Sequence, residues 1–197
     1  MKINLITGTM GAGKSTRLIE DLNKFRQLGK SATVVKASTT EHNLGEVTSR
    51  RGTTTPCMIL NVQQSGVETL AKLFSFIYNE DNIIPQILLV DESQFLTIEQ
   101  ITAIEHAALI FDMDIIFYGL SLDFTGTPFE STAHIIEISD NVQVIFSVCE
   151  LEGCSETAVY NGRFSNGQLI KKGDTFLEEK SVYKALCVNH FENNCRF

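Results

Sequence analysis

The stretch Gly8-Thr9-Met10-Gly11-Ala12-Gly13-Lys14-Ser15 fits the pattern G-x-x-x-x-G-K-[ST] at every fixed position. Its flanks agree with it. Lys2-Ile3-Asn4-Leu5-Ile6-Thr7 reads as a buried strand, and Leu18, Ile19, Leu22 and Phe25 follow at helical spacing. A glycine-rich loop between a strand and a helix holds polyphosphate for mechanical reasons. Glycines let the backbone curl its N–H groups toward the phosphates with no Cβ in the way. The helix N-terminus adds roughly half a positive charge there. In this pattern the lysine, Lys14, reaches the β- and γ-phosphates, and the Ser15 hydroxyl ligates Mg2+. The expected cofactor-binding set is Gly8, Thr9, Met10, Gly11, Ala12, Gly13, Lys14, Ser15 and Thr16. The stretch predicts a nucleoside triphosphate and leaves the second substrate open.

Working outward, strands and helices alternate over residues 1–146. Ala32-Thr33-Val34-Val35-Lys36 reads as a second strand, and Val67–Tyr78 as an amphipathic helix through Leu70, Leu73, Phe74 and Ile77. Gln86-Ile87-Leu88-Leu89-Val90 is a buried strand that ends at Asp91-Glu92. Thr97–Phe111 is helical, with Thr97 as N-cap and Gln100 three residues on, a capping box. Asp114–Tyr118 and Val142–Phe146 are further strands, and Gly119–Pro128 is a loop. Residues 38–56 are polar and lack periodicity, which predicts a long loop. The alternation predicts an α/β fold with a mostly parallel sheet and right-handed crossovers. From Ser147 the turn residues become dense and the apolar runs shorten, so residues 147–197 are expected to form a small β-rich module beside the nucleotide-binding domain 1–146.

Bulk composition narrows the classes. A hydrophobic content of 43% with only three prolines in 197 residues argues for a packed globular chain. No apolar run approaches the roughly 20 residues that span a bilayer. The chain opens directly into a strand, so no signal peptide, no membrane partner and a cytoplasmic location are expected. A net charge of −8 argues against general nucleic-acid binding. Local cations for a nucleotide are Lys14, Arg17, Arg50, Arg51 and Arg163.

Two further constellations carry chemistry. Asp91 ends a hydrophobic strand, the place where open parallel sheets bind ligands, and in a phosphate-loop protein such an Asp holds Mg2+ directly or through water. Glu92 points elsewhere on an extended segment and suits a general base beside an accepting hydroxyl. The second constellation is a metal clip. Cys149, Cys154, Cys187 and His190 offer three thiolates and one imidazole, a closed tetrahedral set for structural Zn2+. Cys195 and His134 compete for one place in it. Five cysteines without a secretory signal suit a reducing compartment.

Taken in order along nearly the whole chain, these features resemble the type II thymidine kinases, the cellular and bacterial/phage kind. Asp91-Glu92-Ser93-Gln94-Phe95 is similar to that family's D-E-x-Q-F signature. Tyr118-Gly119-Leu120 with Asp123-Phe124 resembles its Y-G-L-x-x-D-F segment, and Ser49-Arg50 with Gly52 its S-R-x-G run. Tyr183, Cys187 and His190 resemble its Y-x-x-x-C-x-x-[HC] ending. The resemblance implies ATP-dependent phosphorylation of thymidine or a related deoxypyrimidine nucleoside at the 5′-hydroxyl, in nucleotide salvage, by a homotetramer. It implies that Glu92 is the base, that Asp91 and Ser15 organise Mg2+, and that Met10, Phe95, Phe124, Phe129 and Tyr183 line the nucleoside pocket. It implies that Arg163 approaches phosphates and that a lasso between Asn161 and Tyr183, held by the zinc module, closes over the nucleoside.

The chain departs from that family twice. A D-x-R motif is expected after the second strand, where this sequence reads Ser38-Thr39-Thr40-Glu41-His42-Asn43. The phosphate-facing cation is then missing or supplied by Arg50 or Arg51. Glu178-Glu179 also stands where Gly-Gly is expected in the lasso. A phosphate-loop ATPase or GTPase switch and a degenerate, non-catalytic kinase fold are the alternative readings, and the absence of an N-K-x-D run argues against guanine recognition.

Overall fold

Apolar side chains on both faces make Ile3–Gly8 (β1) a central strand: Ile3, Leu5 and Ile6 are all buried. The structure is a computed structural model, in which residues 1–39, 45–50, 52–78, 84–173 and 181–193 are described. After β1 come α1 (Lys14–Gln27), β2 (Ala32–Ser38), β3 (Glu46–Thr48), β4 (Thr54–Pro56), β5 (Met58–Asn61), α2 (Gly66–Ile77) and β6 (Ile87–Asp91). Next are α3 (Ile98–Phe111), β7 (Asp114–Gly119), α4 (Glu130–Ile138) and β8 (Asn141–Ile145). Six of these strands form one sheet in the order β5-β2-β6-β7-β1-β8, and every neighbouring pair is parallel. The α/β expectation holds.

Period-two alternation divides the core between the two faces. Ile87 and Leu89 of β6 pack with Leu18, Ile19 and Leu22 of α1, while Leu88 and Val90 pack with Leu73 of α2, Ile101 and Ile104 of α3 and Ile135 of α4. Each fully buried leucine or isoleucine contributes roughly 2 kcal/mol by area. The predicted capping box is present. Thr97 Oγ1 accepts from the Gln100 N–H at 3.2 Å, and Gln100 Oε1 accepts from the Thr97 N–H at 3.1 Å. Gln100 also donates to the carbonyls of Asn61 and Gln64, pinning the chain after β5 to the start of α3.

The stretch 38–56 departs from the loop reading. Ser38 belongs to β2, and β3 pairs with β4 in an antiparallel ribbon in which Val47 faces Thr55. Val47 and Thr55 are buried while their neighbours are exposed. The alternation is real but rests on Val47 and Thr55 alone, in strands of three residues, so it leaves little trace in hydropathy. Residues 40–44 and Arg51 lie outside the described residues. The strand β5 and the helix α4 are further additions to the sequence reading.

Beyond Ile145 the strands shorten: β9 (Ser147–Val148), β10 (Thr157–Ala158), β11 (Tyr160–Ser165), β12 (Gln168–Ile170) and β13 (Val182–Leu186), then α5 (Val188–Glu192). Leu151, Phe164, Leu186 and Phe191 form a separate small core with Cys149 and Cys187. Tyr160 stacks on Phe191 with ring centres 4.1 Å apart. Among the described residues, no helix is long and apolar enough to cross a membrane.

Candidate active site and metal centre

The phosphate loop leaves β1 at Gly8, where Ile145 O crowds the position a Cβ would take, so only glycine fits. The loop turns through Gly11 and Gly13, whose φ values are 75° and 93°, and α1 begins at Lys14. Lys14 Nζ folds back onto the loop, donating to Thr9 O at 2.9 Å and Gly8 O at 3.3 Å. Burial, with a smaller push from Arg50, lowers the Lys14 ammonium to about 8, against the pull of Glu92 and Asp91.

Asp91 ends β6 across from this loop. Its carboxylate lies 3.5 Å from Ser15 Oγ. Burial first, then the charge of Glu92, raises Asp91 to about 7. A buried carboxylate and a hydroxyl are hard oxygen donors, the chemistry that suits Mg2+. Glu92 then adopts the left-handed region, with φ 54°, before a short 3-10 turn over Ser93–Phe95. That break in the extended backbone separates the two acids: Asp91 is buried at the strand end, and Glu92 lines the cavity.

The cavity measures about 280 Å³. Met10, Gly11, Gly13, Lys14, Ser15 and Thr16 form its loop side, with Arg50 and Glu92. Phe95, Phe124, Phe129 and Tyr183 supply aromatic walls, Phe95 meeting Phe129 edge-on at 6.3 Å. Gly8, Thr9 and Ala12 frame the loop without lining the cavity. Arg163 is buried behind the wall. Its Nε donates to Ser181 Oγ at 3.0 Å and its guanidinium carbon lies 4.9 Å from the Phe124 ring centre. The Glu178-Glu179 pair lies outside the described residues.

Three residues without a role in the sequence reading organise the cavity. Gln94 Nε2 donates to Glu92 Oε2 at 2.6 Å, and Gln94 Oε1 accepts from the Leu120 N–H at 3.0 Å. One amide thus fixes the Glu92 carboxylate to the end of β7. Asp123 Oδ1 accepts from the N–H groups of Thr125 and Thr127, which shapes the loop beneath Phe124. Asn161 on β11 accepts from the Met10 N–H at 2.7 Å and donates to Leu122 O at 2.8 Å. A second tie joins Thr9 Oγ1 and Ser147 Oγ at 2.7 Å. Only the D-E-x-Q-F pattern hinted at Gln94; a lone Asn in a turn-rich segment carries no such mark.

Asn161→Ala leaves the Met10 N–H and the Leu122 carbonyl without their partner at a part-buried site. We expect a loss of about 2 kcal/mol in unfolding free energy, read from denaturant titration with an unchanged m-value. A midpoint equal to that of the unmodified chain contradicts this.

The thiol and imidazole donors of Cys149, Cys154, Cys187 and His190 all lie within 4.8 Å of one another. Cys149 Sγ and Cys187 Sγ are 3.4 and 3.3 Å from His190 Nδ1, and Cys154 Sγ is 4.0 Å from Cys187 Sγ. A tetrahedral Zn2+ with ordinary bond lengths sets S···N edges near about 3.6 Å and S···S edges near about 3.8 Å. The cluster therefore fits the ion and can hold it. Burial raises the Cys149 thiol, but donors from the backbone of Leu151 and Cys187 and from His190 outweigh that and bring it down to about 7, toward the thiolate a metal requires. His134 sits on α4 beside Glu137, apart from this group, and Cys195 lies outside the described residues.

A family model described as thymidine kinase matches residues 1–191. The thymidine kinase of Bacillus subtilis subsp. natto is 36% identical over 199 residues, covering 98% of this chain and 98% of its own. Those of Rhodopirellula baltica and Chromobacterium violaceum are each 29% identical, covering 97% and 94% of this chain and 88% and 95% of their own. The chain belongs to the thymidine kinase family.

Proposed function

We propose that this chain transfers the γ-phosphoryl group of ATP to the 5′-hydroxyl of thymidine or a closely related deoxypyrimidine nucleoside, in nucleotide salvage. One observation carries the reading: a single cavity has Lys14 and Ser15 of the phosphate loop on one side, aromatic walls on the other, and Glu92 on its lining. A flat pyrimidine suits the aromatic side, and a sugar bound there brings its 5′-hydroxyl toward the carboxylate. Glu92 takes the hydroxyl proton as the oxygen attacks in line. Gln94 keeps that carboxylate in one orientation. Lys14 leaves its two carbonyls for the phosphates, which are the stronger acceptors. Ser15 and Asp91 would hold Mg2+, which neutralises charge on the β- and γ-oxygens when bound.

The nucleotide-binding domain 1–146 supplies the loop, Asp91 and Glu92. The module 147–197 supplies Tyr183 and closes the nucleoside side from a zinc-held base. The proposal includes a homotetramer acting in the cytoplasm.

The test is a phosphorylation assay of purified protein with ATP and Mg2+ across a panel of nucleosides. We expect thymidine-dependent ADP release with thymidine monophosphate as product, and loss of that activity with a zinc chelator. ATP hydrolysis that ignores added nucleoside would overturn the reading in favour of a switch.

A further inference from the structure

We infer that Arg50 is the second phosphate-binding cation of this site, and that Glu150 is the positioning residue that holds its guanidinium over Gly11. The inference rests on ATP as phosphoryl donor.

The sequence after β2, Ser38 to Asn43, has no arginine, so Lys14 lacks its expected companion from that segment. Arg50 reaches the loop from elsewhere. It sits in the tight turn between β3 and β4, where the Gly52 N–H donates to Ser49 O at 2.9 Å. Its guanidinium lies directly on the phosphate loop: a Cβ built on Gly11 would stand 2.5 to 2.8 Å from Nη1, Cζ and Nη2. Gly11 thus admits the arginine as well as the turn. Arg50 also borders two clefts at once, the nucleoside cavity and a second cleft beyond the loop bounded by Gly11, Thr16 and Arg17. A polyphosphate running between the clefts passes beneath it. The charge of Arg50 contributes to lowering Lys14, which places the two cations within electrostatic reach of one another.

A long side chain in a hairpin turn does not choose this pose by itself, because ordering a rotamer-rich arginine costs about 2 kcal/mol. Glu150 selects it. Arg50 Nη1 donates to Glu150 Oε1 at 3.3 Å. The acceptor is itself fixed at both ends: Glu150 Oε2 accepts from the Ala185 N–H at 2.7 Å, and the Glu150 N–H donates to Ala185 O at 2.8 Å. Glu150 directly follows Cys149, a ligand of the metal cluster. The arginine and glutamate side chains are 66% and 34% exposed, so the pair adds little to stability and its effect lies in orientation. A guanidinium has five donors, which leaves it able to meet phosphate while Glu150 holds one.

The experiment is calorimetric titration of the full chain with Mg2+ and a non-hydrolysable ATP analogue, and separately with ADP, without nucleoside. Arg50→Ala should weaken the triphosphate analogue about tenfold or more, and Arg50→Lys less. Glu150→Gln keeps an oxygen for Ala185 and turns its amide toward Arg50, so it should weaken the analogue about threefold. It should have no further effect in the Arg50→Ala background. Equal binding by Arg50→Ala, tighter or equal binding by Glu150→Gln, or the same loss in both backgrounds overturns the inference. Zinc content and unfolding midpoint accompany each variant; if Glu150→Gln sheds zinc, the two arginine variants alone decide. Arg50-dependent binding in a chain that does not phosphorylate thymidine would defeat only the proposed function. Thymidine phosphorylation indifferent to Arg50 would defeat only this inference.

Discussion

Replacing Glu92 with glutamine should lower kcat about a thousandfold while affinity for an ATP analogue stays within about threefold. Glutamine has the same shape, so the left-handed turn at position 92 and the path into Ser93–Phe95 remain. Its amide oxygen still accepts from Gln94 Nε2, so the side chain keeps its orientation. What disappears is the ability to take a proton from the attacking hydroxyl. On the proposed function, nucleotide binding rests on Lys14, Ser15, the loop amides and Arg50, all of which the substitution leaves in place. Steady-state kinetics with saturating thymidine, paired with nucleotide titration, separates the two quantities. A kcat near that of the unmodified chain would remove Glu92 as the base.

Cys187→Ser should abolish zinc retention and lower the unfolding midpoint by about 10 °C, as expected for a loss of some 3–5 kcal/mol in a domain of this size. Cys187 is both a member of the cluster and the N-cap of α5, and it is buried in the small core with Leu151, Phe164 and Phe191. A serine oxygen is a poor Zn2+ ligand, and three remaining donors leave an open position. Since Tyr183 lies on β13, the strand that ends one residue before Cys187, and lines the cavity, activity should fall with the metal. Cys57→Ser is the control: that thiol lies outside the cluster and should leave zinc content unchanged. Elemental analysis and thermal unfolding read both outcomes; a Cys187→Ser chain with full zinc and an unshifted midpoint refutes the structural role.

Much of this was legible because the signals are local. The phosphate loop, the strand that ends at Asp91 and the Thr97–Gln100 box depend on neighbours in sequence, and the structure places all three where the pattern puts them. The Cys/His group was legible because few chemistries need three thiols and an imidazole together. The β3–β4 ribbon was hidden because one valine and one threonine carry its buried face, and β5 because four residues give no periodicity to read. Asn161, Gln94 and Glu150 act through partners 151, 26 and 100 residues away, and no spacing rule links such distances. Arg163 was named by resemblance alone; its contacts with Phe124 and Ser181 lie in tertiary packing, which its sequence neighbours do not announce.

The position of β1 bears on how the protein is made. Strand β1 precedes both of its sheet neighbours along the chain, yet it lies between β7 and β8, pairing Ile3 with Ile115 and Asn4 with Asn141. Until those residues emerge, both of its edges are bare and its apolar faces have no sheet to join. A nascent chain stopped before residue 114 therefore carries its phosphate loop on an unpaired, adhesive strand, and one stopped before residue 141 leaves the β8 edge of that strand bare. Synthesis past β8, more than any local element, decides when this loop has a complete sheet behind it.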